Sequence, residues 1–152
     1  MSAVRGQDNF EVALAYNNLG EALFQQQRYD EAHEAFSDGL RRNERARGLD
    51  HPENAAMLMG LGKALMKRQR YADAVAPLRR AVAIREAHPQ DRQFLGVTRY
   101  ALAIAQWRGS GDVAEATVLV HKSAADFEAA DLPTGDLERA RTWLAAHAGK
   151  TQ

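Results

Sequence analysis

The 152-residue chain has no cysteine, which removes disulfides and thiolate metal sites from consideration. It has only four prolines and eleven glycines, too few for a collagen-like or low-complexity sequence. No stretch approaches the roughly 18 apolar residues of a membrane span. The polar run from Met1 to Phe10 lacks the apolar centre of a secretory leader. Together these point to a cytoplasmic protein with no membrane partner. Catalytic signatures are missing as well. The five histidines (His33, His51, His88, His121 and His147) are scattered, with no His-Glu-x-x-His pair for a metal. Ser2, Ser37, Ser110 and Ser123 sit in no nucleophile motif. Gly109-Ser110-Gly111 is too short to cradle a phosphate and follows a helical pattern rather than a strand. Lys67-Arg68-Gln69-Arg70 lacks interleaved aromatics, which argues against nucleic acid. The expectation is a protein that is not an enzyme and needs no metal or cofactor.

Net charge is also absent, since 20 basic side chains balance 20 acidic ones. The balance hides a gradient. Residues 54–108 carry ten basic and three acidic side chains, a surplus of seven positive charges. The segments on either side carry surpluses of four and three negative charges. A positive middle either attracts an acidic partner or forms an unevenly charged solvated face.

What the chain does have is self-similarity. Tyr16-x-x-Leu19-Gly20-x-x-Leu23 with Ala32-x-x-x-Phe36 returns as Leu58-x-x-Leu61-Gly62-x-x-Leu65 with Ala74-x-x-x-Leu78. The two glycines lie 42 positions apart. A fainter third copy follows in Leu102-Ala103 and Ala116-x-x-x-Val120. Apolar residues recur at three and four, and alanine, leucine, glutamate and arginine dominate, so every element reads as helix.

Seven helices are expected. Asp8 with Glu11 forms a capping box for the first, which ends near Gln26. The second runs from about Tyr29 to Arg47, with Gly48 at its C′ position. Pro52 opens the third, which ends near Arg68. The fourth spans about Tyr71 to Ala87 and is bent by Pro77. The fifth covers Arg92 to Arg108, and Asp112 caps a sixth that ends near Ala130. Thr134 caps the seventh, which ends near His147. Gly20 and Gly62 let the two helices of a hairpin approach closely, and Ala32, Ala74 and Ala116 are their small counterparts. Two registers fit the third copy. One aligns Ala103 with Gly62 and leaves Gln106 where Leu23 and Leu65 sit; the other, one residue later, puts Tyr100 and Trp107 in the core.

These residues resemble the tetratricopeptide repeat, whose pattern of an aromatic, Leu-Gly, a large residue, Ala and Phe is met by Tyr16, Leu19, Gly20, Leu23, Ala32 and Phe36. The long period, the Gly48-Leu49-Asp50-His51-Pro52 link and Asn17-Asn18-Leu19-Gly20 are similar to the kinesin-light-chain type. The resemblance covers about residues 9–130. It implies an all-α, right-handed solenoid of three helix hairpins (about 9–48, 52–88 and 92–130) plus a capping helix (about 134–147), in one domain spanning 9–148. Leu137, Ala140, Arg141 and Leu144 form one stripe of that last helix, with Trp143 beside it to cover the last repeat. The tail also resembles the ends of repeat regions in bacterial signalling proteins, some of them fused to kinases. No glycine-rich phosphate loop, His-Arg-Asp or Asp-Phe-Gly occurs in the chain.

In this family the first helix of each hairpin lines a concave face. The resemblance therefore implies a groove formed by Asn17, Glu21, Phe24 and Gln25, then Met59, Lys63, Met66 and Lys67, then Tyr100, Ile104, Trp107 and Arg108. Asn17 can pair with a peptide backbone, the methionines offer adaptable apolar contacts, and the aromatics suit a hot spot. Against each stands a plainer role: the methionines and Ile104 as packing under a neighbouring helix, Trp107 as end cover, the lysines as solvated surface. The lysine–asparagine carboxylate clamp of some members is not met here, because its places hold Asn17 and Glu21, Lys63, and Tyr100 and Ile104. The implied function is an adaptor that binds a protein or peptide partner, with an acidic one favoured by charge. The alternatives are a self-associating module and a regulator acting in trans on a signalling protein such as a kinase.

Overall fold

A computed structural model describes residues 2–88, 90, 92–130 and 135–150, with side chains from Phe10 onward. Its helices are α1 (Ser2–Gln25), α2 (Tyr29–Arg47), α3 (Asn54–Lys67), α4 (Tyr71–Ala87), α5 (Arg92–Ser110), α6 (Val113–Ala129) and α7 (Gly135–His147). Each packs on the next in sequence. In addition α1 touches α3 and α3 touches α5, while α2, α4 and α6 make no comparable contact with one another among the described residues. The first helices therefore sit closer together than the second ones, and the array of hairpins curves with α1, α3 and α5 inside. It is an all-α solenoid.

The repeat is visible in the backbone as well as the sequence. Gln27 and Gln69 both take a positive φ, 62° and 59°, and Gly111 at 76° holds the same place in the third hairpin. At the first two turns the amides of Arg28 and Arg70 donate back to the carbonyls of Leu23 and Leu65, closing the helix end as a Schellman-type cap. Glycine removes the strain at the third.

Close approach explains the glycine landmarks. A Cβ on Gly20 would lie 2.7 Å from the Phe36 ring, and one on Gly62 would lie 2.4 Å from Cγ of Leu78. Ala32, Ala74 and Ala116 are all fully buried. The third hairpin follows the register that aligns Ala103 with Gly62: Ala103 and Leu102 are buried, whereas Tyr100 and Trp107 are only partly so. Gln106, in the place of a leucine, is buried because its Nε2 donates to Oε1 of Glu115 at 2.8 Å. Asp112 caps α6 by accepting from the Glu115 amide.

Three expectations are corrected. Helix α1 begins at Ser2, so Asp8 lies inside the helix rather than at its cap. Pro52 precedes α3, in a turn where the Asn54 amide donates to the His51 carbonyl. Gly109 and Ser110 extend α5 instead of forming the turn. Leu19 is 48% exposed although its counterparts Leu61 and Leu102 are buried, because no second helix packs on that side of α1 among the described residues. The expected cap at Thr134 lies outside the described residues.

Helix α7 covers α6 through Ala140 and Trp143, with Leu144 beside them. Arg141 is not part of that seam: it points outward and pairs with Glu128 at 3.1 Å. Trp107 packs edge-on against Trp143 (5.7 Å) and His147 (4.7 Å), while His147 stacks on Trp143 at 4.1 Å. The aromatic cluster closes this end of the solenoid.

Candidate functional site

The inner surface of α3 and α5 frames an open hollow of about 420 Å³. Eight residues expected at a groove meet there: Phe24 from α1, Met59, Lys63, Met66 and Lys67 from α3, and Tyr100, Ile104 and Arg108 from α5. The i, i+3, i+4 and i+7 spacings put each set on one helix face. Tyr71, Val97, Ala101 and Arg139 also line it. Tyr71 and Arg139 come from α4 and α7, whose contribution no single helix face could announce; Val97 lies one turn before Tyr100 and Ala101 on α5, and an extended column would have found it.

Asn17, Glu21 and Gln25 are not in this lining. On α1, Gln25 Nε2 donates to Glu21 Oε1 at 3.3 Å. Trp107 belongs to the end cover. A second hollow, about 350 Å³, lies at Pro52, Ile84, Arg85, His88 and Gln90. It offers one cation, Arg85, which sits 5.2 Å over the Phe94 ring.

The charge surplus of residues 54–108 has an unexpected fate. Among the described residues, ion pairs hold six of its ten basic side chains. Arg68 pairs with Asp30 and Arg80 with Glu44, both acids from the first repeat. Arg79 pairs with Glu115, and Arg92 and Arg99 both engage Asp126, acids of α6. Arg70 takes Asp73 at 2.8 Å. Three of these pairs, at Arg68, Arg79 and Arg80, tie neighbouring repeats together. Among the described residues, Lys63, Lys67 and Arg108 have no carboxylate oxygen within 4.0 Å.

Two of these three cations rest on aromatic faces. Lys63 Nζ lies 4.8 Å from the centre of the Phe24 ring. The Arg108 guanidinium lies 5.6 Å from the Tyr71 ring and 5.3 Å from the Trp107 ring. The aromatic quadrupole holds the charge without neutralising it. Burial raises the Tyr100 phenol above its ordinary pKa, Arg139 works to lower it and Asp136 to raise it. The hydroxyl is therefore neutral and available as donor or acceptor. Arg139 itself pairs with Asp136 at 3.1 Å.

Among the described residues no group of acidic and histidine side chains is placed to hold a metal ion, and no helix is long and apolar enough to cross a membrane.

No curated protein matches the chain. Among solved structures, the N-terminal domain of stress-induced protein-1 (STI-1) from C. elegans matches with a TM-score of 0.68. The match covers 89% of this chain and 96% of that one at 16% identity, and so speaks for the fold alone. The family model for the tetratricopeptide repeat matches residues 11–87. With half the chain matched, and with the glycine contacts and turns recurring as described, this chain belongs to the tetratricopeptide repeat family.

Proposed function

We propose that this chain is a non-catalytic, cytoplasmic scaffold, acting as one unit over about residues 9–148, that holds a segment of another protein against its inner surface. The observation that carries this reading is the hollow between α3 and α5. It gathers apolar, aromatic and cationic side chains on a surface that internal packing leaves open. Such a mixture of apolar walls with a few placed polar groups is what recognition of a peptide or helix requires. The proposed contact set is Met59, Lys63, Met66, Lys67, Tyr100, Ile104 and Arg108, with Asn17, Glu21 and Gln25 extending it along α1. Partners recovered by pull-down and then titrated against the Lys63→Glu/Lys67→Glu double variant should bind it at least about tenfold more weakly. Unchanged affinity for every partner recovered would remove the groove assignment.

A second reading is favoured by one observation. Val12 and Leu19 are exposed on the outer side of α1, where the equivalent Leu61 and Leu102 are buried by the preceding hairpin. A second copy could cover them. Light scattering across a concentration series separates the two readings, since a strict monomer excludes self-assembly.

A further inference from the structure

The pattern of ion pairing identifies the chemistry of the occupant. Resting on the groove reading above, we infer that the hollow takes an internal protein segment in which side-chain carboxylates alternate with large apolar side chains, and that repeats two and three read it.

The first argument is electrostatic. Among the described residues, ion pairs hold six of the ten cations between residues 54 and 108, and Arg68, Arg79 and Arg80 take acids from other repeats. Lys63, Lys67 and Arg108 all line the hollow, and none has an acid of its own among the described residues. Three unneutralised charges beside apolar walls focus a positive potential in a concave space. An anionic segment gains there; a basic one is repelled.

The second argument is preorganisation. Lys63 on Phe24 and Arg108 between Tyr71 and Trp107 are already held in place. No internal salt bridge has to be broken before a carboxylate can approach, and little rotamer freedom remains to be lost.

The third argument is geometric. Lys63 and Lys67 are one turn apart on α3, about 6 Å, while Arg108 stands on α5. Cations on two helices offer places to more than one carboxylate, which a segment with several acidic side chains can supply. Met59, Met66 and Ile104 line the same hollow and favour apolar side chains beside the acids. Repeat one has Glu21 at the position 42 residues before Lys63, which turns the acidic part of the segment away from it.

The test is a selection of random dodecapeptides against the whole chain and against Lys63→Glu/Lys67→Glu. Selected peptides are then titrated into protein carrying labelled methionine methyls. The four methionines make the readout specific. Met59 and Met66 line the hollow, whereas Met57 is buried against Gly39 and serves as the internal control. Neither lysine makes an ion pair among the described residues, so the charge reversal leaves their salt bridges intact, and far-ultraviolet circular dichroism verifies the fold of the variant. Arg108→Gln is a second, milder variant. Expected are peptides with two or more Asp or Glu beside Leu, Ile, Met or Phe. They should move Met59 and Met66 but not Met57, and weaken about tenfold or more in the double variant and at high salt. Neutral or basic peptides that move Met59 and Met66 would overturn the acidic segment and leave the groove standing. Acidic peptides that bind without moving either methionine, or a selection that enriches nothing, would overturn both.

Discussion

Asn43 donates from Nδ2 to Oδ1 of Asn54 at 2.7 Å, and both residues are shut off from solvent. Asn54 in turn donates from its own Nδ2 to the carbonyls of Gly48 (2.9 Å) and Leu49 (3.0 Å). Helix ends leave carbonyls unpaired, and here one buried amide collects two from the link that follows α2. The pair thereby fixes how the first hairpin hands over to the second.

Replacing Asn54 by alanine should strip the Gly48 carbonyl and the Asn43 amide of their partner, while the Leu49 carbonyl keeps the Arg80 guanidinium. The expected loss is about 2–3 kcal/mol, the usual cost of leaving buried polar groups unsatisfied. Asn43→Ala should cost less, because Asn43 Oδ1 has no partner to lose. Urea midpoints of the two variants check the order; equal losses would contradict this account of the link.

Asp126 is 2% exposed and accepts from Arg99 Nη1 at 2.5 Å, with Arg92 at 3.4 Å. Removing only the acid leaves a largely buried guanidinium with Glu86 alone. Asp126→Asn should therefore destabilise by about 3–5 kcal/mol. The double replacement Arg99→Met with Asp126→Leu should cost less than that single change, because it leaves no isolated charge behind. A thermodynamic cycle on the four proteins measures the difference.

Gly62→Ala should lower stability even though alanine is the better helix former. The new methyl would meet Leu78 at its branch point rather than at a flexible tip. Overpacking of this kind costs about 1–3 kcal/mol. Combined with Leu78→Ala, the change should cost less than the sum of the two single losses in denaturant melts, a coupling that a purely conformational effect at Gly62 would not produce.

Tyr100 gives a pH signature. Its folded pKa is raised, chiefly by burial, so the folded state holds the proton more tightly than the unfolded one. Its contribution to stability is complete below the unfolded pKa and is lost as pH rises through the folded value. The phenolate absorbance that disappears in Tyr100→Phe should titrate above that of a free tyrosine. The same substitution should flatten the fall of stability on the alkaline side.

Much of the architecture was legible because a solenoid repeats its instructions. Seven helices, the 42-residue period and the Ala103 register all follow from apolar spacing and small residues, and the turn at Gln69 confirms the one at Gln27. Much of the hollow's lining could be written down because the family resemblance implies a groove along the first helices, and the helix period then puts Met59, Lys63 and Met66 on one face. What escaped were interactions across repeats. Arg68 meets Asp30 and Arg80 meets Glu44 only after stacking, and no local pattern distinguishes these arginines from Arg108. The buried amides of Asn43 and Asn54 escaped for the same reason: asparagine in a helix reads as surface until the neighbouring link closes over it. Leu19 misled in the other direction, since its motif is intact but the helix that would bury it is not among those described.

One ring has a reach beyond its own hairpin. Phe36 lies against Gly20 of α1 and also against Gly60 of α3, where an added methyl would come within 2.6 Å of it. It is a party wall: trimming it would open a void on both sides, and thickening either glycine would push on the same phenyl. The opening two hairpins consequently melt as a block, and neither could be lifted out and spliced into another array with its fit intact.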